Sequence, residues 1–118
     1  MALLARYLSP TRIVSLRSRS KEGAIRELAG TLARDEEAPE AGAVVSAVQE
    51  REKLVSSWIG PGIAIPHARI GGLGQLQIVV GRSRPGVAWD SGDGNPVHLL
   101  FLIVSGDKDP DEHVHLLA

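Results

Sequence analysis

Four histidines, one arginine followed by two serines, and a set of carboxylates are the groups in this chain able to do chemistry, and cysteine is absent. His67 lies in the run Gly60-Pro61-Gly62-Ile63-Ala64-Ile65-Pro66-His67-Ala68-Arg69. Pro66 pushes Ile65 towards extended geometry and has no N–H to give a sheet, so the spacing predicts a strand from Gly62 to Ile65 with His67 emerging at its carboxyl edge. A neutral imidazole there can attack an electrophile through one ring nitrogen while the other N–H is held by an acceptor, and phosphate is an electrophile that suits onward transfer. An ordinary turn histidine fits the same local pattern. Arg51 presents a planar fork of donors suited to two phosphate oxygens, and Ser56 and Ser57 add hydroxyls between it and the strand. A solvated Arg51-Glu52 pair followed by polar loop residues is the plainer reading.

The remaining histidines separate by context. In Glu112-His113-Val114-His115, two residues apart on a helix means about 200° around the axis, so the two imidazoles cannot readily share a metal. As a strand they could, and His67 would complete a three-nitrogen zinc site, but acidic Asp111 and Glu112 after Asp109-Pro110 read as the start of a helix. No metal is expected. His98 opens an apolar strand and reads as a strand-end histidine satisfied by hydrogen bonding, and Trp89 as a core or rim aromatic.

The elements that must position these groups follow from periodicity. Ala24, Ile25, Leu28, Ala29, Leu32 and Ala33 recur at helical spacing behind Ser20, a candidate N-cap, with Glu22 near the positive helix end. Pro39 suits a first helical turn, and Val44, Val45, Val48 and Val55 continue an apolar face, predicting a second helix over about residues 39 to 53 that delivers Arg51 near its end. Gly62 to Ile65, Leu76 to Gly81, Val87 to Trp89 and Val97 to Val104 read as strands. The last is apolar almost throughout, as expected where both sheet faces are covered. The fold class is α/β (α+β), a central mixed β-sheet flanked by helices.

Composition sets the outer bounds. At 118 residues with 43% hydrophobic content, the chain forms one domain, residues 1 to 118, without internal repeats. A net charge of −1 and only four aromatic residues, Tyr7, Trp58, Trp89 and Phe101, argue against a nucleic-acid partner. Basic residues concentrate before residue 35 and acidic ones from 35 to 52, a pattern of solvated helix faces. The opening MALLARYLSP is too short and too soon interrupted for a signal peptide, and no apolar run is long enough for membrane insertion, so a cytoplasmic location is expected.

Taken together, REKLVSSWIGPGIAIPHAR, DGNPVHLLFLIV and EHVHLLA, with LSPTRIV and SKEGAIRELAGTLA before them, resemble the type-2 enzyme IIA domain of the bacterial phosphoenolpyruvate-dependent phosphotransferase system, the fructose, mannitol and nitrogen-regulatory branch. The resemblance spans essentially the whole chain. It implies that His67 becomes phosphorylated, that His113 lies beside it and positions the phosphate, that Arg51 contacts the phosphoryl group, and that Ser56 and Ser57 match a Ser-Thr pair. Trp58 stands where the family often has glycine. No cofactor is implied. The implied partners are the phosphocarrier HPr or its nitrogen-branch relative as donor, and either an enzyme IIB cysteine as acceptor or a regulated protein whose contacts the phosphorylation of His67 switches. The family domain continues past HLLA, so its C-terminal helices are expected to be truncated here, with a homo-oligomer as one way to cover the sheet. RPGVAW is closer to the sugar branch, LSPTRIV and the first helix to the nitrogen branch.

Overall fold

The computed structural model describes residues 12–34, 38–73 and 76–106. His113, His115 and the helix expected from Asp109-Pro110 lie outside the described residues, as does LSPTRIV up to Thr11.

The first helix forms where the sequence places it. Helix α1 runs Lys21–Leu32, and the Ser20 hydroxyl accepts the Gly23 N–H at 3.1 Å, closing one of the unpaired amides of the first turn. Gly23 must be glycine because the Ser18 side chain occupies the space that a Cβ would need. The Glu27 carboxylate reaches back to accept the backbone N–H groups of Arg17 and Ser18, fixing the angle at which the chain enters the helix. Helix α2 runs Ala41–Leu54, with Glu40 at its N-cap making no side-chain capping bond. Pro39 therefore precedes the helix instead of opening it. Val44 and Val48 are buried, whereas Val55 is the extended C-cap residue and exposed, so the apolar stripe stops about two turns earlier than the spacing implied.

Six strands follow the order β1-β5-β6-β3-β2 in one mixed sheet, with β4 also paired to β6. They are β1 (Ile13–Ser15), β2 (Trp58–Gly60), β3 (Ile63–Ala64), β4 (His67–Arg69), β5 (Gln77–Val87) and β6 (Val97–Ser105). β1 lies parallel to β5, β5 antiparallel to β6, β3 and β4 parallel to β6, and β2 antiparallel to β3. The α/β expectation thus holds. Both described helices cover one face, where Ile25, Leu28, Val44 and Val48 meet Ala64, Ala68, Val79, Leu100, Leu102 and Val104. Ile78, Val80 and Ile103 are buried on the opposite face with Ile65, Leu99 and Phe101 packed against them. The unbroken apolar run of β6 reflects this burial on both sides. Gly81 on β5 lets Leu16 and Leu28 approach the backbone within the space of a methyl group.

Three strand expectations change. Leu76 to Gly81 and Val87 to Trp89 belong to one strand as far as Val87, because the register shift between Arg82 and Val87 absorbs Pro85-Gly86 as a bulge instead of a break. Trp89 lies outside it. The short strands β1 and β2 carry too few residues for a period-2 signal and were not expected from the sequence.

Candidate functional site

Pro66 interrupts hydrogen bonding without ending the strand. Ile63 and Ala64 pair with Leu99 and Leu100, and His67, Ala68 and Arg69 pair with Ile103, Val104 and Ser105, so one constant offset runs straight through the proline. The Pro66 carbonyl still accepts the Ile103 N–H at 3.0 Å, while its missing N–H cannot return a bond to β6. The expected strand edge at Ile65 is therefore a two-residue gap within a strand, and His67 opens β4 instead of following the last strand residue. Alternation puts Ala64 and Ala68 under the helices and His67 on the other face with Ile65. There the imidazole is half-buried, its backbone held in register by β6.

The segment from Arg51 to Ser57 approaches this strand from the end of α2, which packs against β4. Arg51 sits in the last helical turn with an exposed side chain, where a cation also complements the negative helix end. The Ser57 carbonyl accepts the Ile65 N–H at 2.9 Å, which fastens Ser57 two residues upstream of His67. Its hydroxyl is buried and has no hydrogen-bond partner. Ser56 is employed differently: its hydroxyl donates to the Asp90 carbonyl at 2.8 Å and accepts the Trp58 N–H at 3.2 Å. Ser57, not Ser56, has its side chain in reserve.

A support beneath this turn was not read from the sequence. Glu52, with a side chain only 6% exposed, takes Lys21 Nζ at 2.7 Å on the same oxygen that accepts the Ser57 N–H at 3.2 Å. Lys21 also bridges to Asp90 at 2.7 Å and lies 4.9 Å from the centre of the Trp89 ring. Burial by itself would lower the Lys21 ammonium, but hydrogen bonds to Asp90 and Glu52 outweigh it and hold its pKa above the ordinary value. The Lys21 hydrogen bond likewise holds the Asp90 carboxyl below the usual carboxylate range. Arg51-Glu52 is thus no solvated pair. Its two members point to different tasks, one in solvent and one in a buried brace. The signal for this brace was a lysine at a helix N-terminus, locally unfavourable and so in need of a carboxylate elsewhere.

Around the brace, Glu52 Oε1, Ser57 Oγ, Trp58 Nε1, Trp89 Nε1 and Ser91 Oγ are buried without protein partners. The Ser56–Asp90 bond and the close approach of the Trp58 ring to Gly92 hold the end of α2 against the 88–95 loop. His98, by contrast, is satisfied as expected: its Nδ1 donates to the Ser83 carbonyl at 2.9 Å. Of the expected site residues, the structure thus joins Ser57 to the His67 strand, ties Ser56 to the Asp90 loop, and leaves Arg51 on the solvent side of α2.

Sequence and structure comparisons agree on what this arrangement is similar to. A family described as "Phosphoenolpyruvate-dependent sugar phosphotransferase system, EIIA 2" matches residues 7–118. The chain is 34% identical over 105 residues to the PTS system fructose-specific EIIABC component of Bacillus subtilis, covering 89% of this chain and 16% of that protein. It is 34% identical over 119 residues to a nitrogen regulatory protein of Pseudomonas aeruginosa, covering 99% and 77% of the two chains. Among solved structures, nitrogen regulatory protein IIA-Ntr from Neisseria meningitidis superimposes with a TM-score of 0.89 at 33% identity over 98% of this chain and 79% of that one. IIA mannitol from Escherichia coli, at 23% identity and a TM-score of 0.70, shares the fold. With its strand-borne His67, its Ser57 turn and a match that runs over nearly its whole length, the chain belongs to the type-2 EIIA family of the phosphoenolpyruvate-dependent phosphotransferase system.

Proposed function

We propose that the chain is a phosphocarrier in which His67 takes a phosphoryl group from an HPr-type protein and passes it to a cysteine of an enzyme IIB domain in fructose-type sugar uptake. The observation that carries this reading is a half-buried imidazole, held in register on β4, beside a turn whose Ser57 hydroxyl is buried and unengaged. In each transfer an N–P bond to the donor histidine breaks as an N–P bond to His67 forms. That bond breaks in turn as the acceptor thiolate forms an S–P bond. The phosphoryl group in flight spreads charge over its outer oxygens, so the protein's work is positioning and fixed donors. Arg51 supplies a guanidinium fork, Ser57 a hydroxyl, and His113 a second imidazole that holds the phosphate. Ser56 supports the turn. No metal or cofactor takes part in this scheme.

The test is incubation with enzyme I, an HPr-type carrier and labelled phosphoenolpyruvate. Acid-labile label should reach the wild type and be lost in His67→Ala, and full label in that variant would overturn the assignment. His113→Ala should slow onward transfer more than it reduces labelling.

A second reading is favoured by the likeness to the Neisseria and Pseudomonas nitrogen regulatory proteins over most of their length. On it, phosphorylated His67 switches contacts with a regulated protein, since nearly two negative charges on a partner surface are enough to break or make an interface. Transfer of label from the phosphorylated chain to a IIB domain favours the sugar carrier. Stable label that changes affinity for a non-IIB partner favours the regulator.

A further inference from the structure

A second concave site lies at the other end of β6 from His67. The β5 bulge and the end of β1 border an open cavity of about 800 Å³ lined by Ser15, Leu16, Arg82, Ser83, Arg84, Pro85 and His98. His67 pairs with Ile103, five residues along β6 from His98, which at about 3.3 Å per residue separates the two histidines by roughly 16 Å. The cavity is therefore distinct from the His67 position, and none of its described lining residues belongs to the turn from Arg51 to Ser57.

The bulge is a built feature. Gly86 adopts a φ of 95°, in the left-handed region, and a Cβ there would come within 2.7 Å of Pro96 and 3.0 Å of the His98 ring. The Ser83 hydroxyl accepts the Gly86 N–H at 3.1 Å, and the Ser83 carbonyl accepts His98 Nδ1–H at 2.9 Å. That second bond selects the neutral tautomer whose Nε2 carries the lone pair. Arg82 donates its Nε–H to the Ser15 hydroxyl at 3.1 Å, which orients the guanidinium and leaves its terminal N–H groups for another acceptor. Arg84 is exposed and makes no ion pair among the described residues. Among the described residues that line the cavity none is a carboxylate. In a chain of net charge −1, two guanidinium groups, two hydroxyls and an imidazole are thus gathered around one hollow.

We propose that this cavity binds a small phosphomonoester, its phosphate held by the Arg82 and Arg84 forks and its organic part resting against Pro85 and Leu16. The forked donors match tetrahedral phosphate oxygens, and the volume falls in the range of small-molecule sites. The inference does not depend on what His67 does.

Amide NMR titrations of the full chain with a hexose 6-phosphate, the unphosphorylated hexose, inorganic phosphate and sulfate at constant ionic strength test it. The hexose phosphate should shift the amides of Ser15, Ser83, Arg84, Gly86 and His98 saturably, with a Kd of about 1 mM or tighter, and more tightly than either inorganic anion. Arg84→Ala and Arg82→Gln should each weaken it at least about tenfold, while Arg26→Ala, an exposed charge on α1, should not. His67 labelling should be unchanged in Arg84→Ala, which also reports correct folding. Equal affinity for sulfate, equal shifts with the free hexose, unaltered binding in both arginine variants, or shifts centred on His67 and Ser57 would each overturn it.

Discussion

Lys21→Met should be among the most damaging single changes near the surface of this protein, although it alters one long side chain at the start of a helix. Glu52 is 6% exposed and Lys21 is 22% exposed, so the pair is largely desolvated, and only the Ser57 N–H would remain to a carboxylate stripped of its cation. Removing one partner of a fully buried pair costs about 3–5 kcal/mol. Partial exposure admits water, which brings the expected loss to about 2–3 kcal/mol, near the value of a hydrogen bond to a charged group. For a domain of this size that is a fall of roughly 10 °C in Tm. The Asp90 leg is worth far less, because its carboxylate side chain is 59% exposed, so Asp90→Asn should cost under about 1 kcal/mol. Urea unfolding at neutral pH, comparing midpoints at unchanged m, measures both. In the double variant Lys21→Met/Glu52→Gln the buried charge is gone, and about 1–2 kcal/mol should return as a coupling energy. A Lys21→Met loss no larger than that of Asp90→Asn, with no recovery in the double variant, would refute the claim that Glu52 is braced by a desolvated pair.

Ser57→Ala removes a buried hydroxyl without a partner, so stability should stay within about 0.5 kcal/mol of wild type, while His67 labelling slows by about tenfold or more if that hydroxyl serves the phosphoryl group. Thermal unfolding and rapid-quench labelling separate the two effects. Gly86→Ala should cost about 2–4 kcal/mol in chemical denaturation, since both its positive φ and the contact with Pro96 oppose a side chain. The brace also sets a pH window. Asp90 contributes fully above its ordinary value of 3.8 and loses its contribution as the pH falls through the lower folded value, whereas Lys21 contributes fully below 10.5 and loses it as the pH rises through the higher folded value. Stability measured against pH should show the acid-side loss reduced in Asp90→Asn and the alkaline-side loss reduced in Lys21→Met.

Local rules were enough wherever neighbours in sequence are also neighbours in space. The Ser20 cap, the α1 stripe and the double-faced β6 were all legible because each depends on a repeat of 3.6 or on continuous burial. Proline and glycine misled where tertiary pairing outweighs a local break. At Pro66 the bonds from Gly62 and Ile70 to β6 carry the strand across the gap, and at Pro85-Gly86 a bulge absorbs the turn. Of the candidate site, His67, Arg51 and the serine pair stood out by residue type and order. The division of labour between Ser56 and Ser57 did not, since it rests on contacts with Asp90 and Ile65 far along the chain.

By itself the sequence determined the start of α1, the apolar strand β6 and the presence of an imidazole next to a proline, because these follow from backbone stereochemistry and periodicity. Lys21, Glu52 and Asp90 could be paired only by the tertiary structure, as could Arg82, Ser83 and His98 around one cavity. The physical reason is common to both: a charge or donor takes its meaning from what desolvates it and what it faces, and here those partners come from strands and helices remote in the chain.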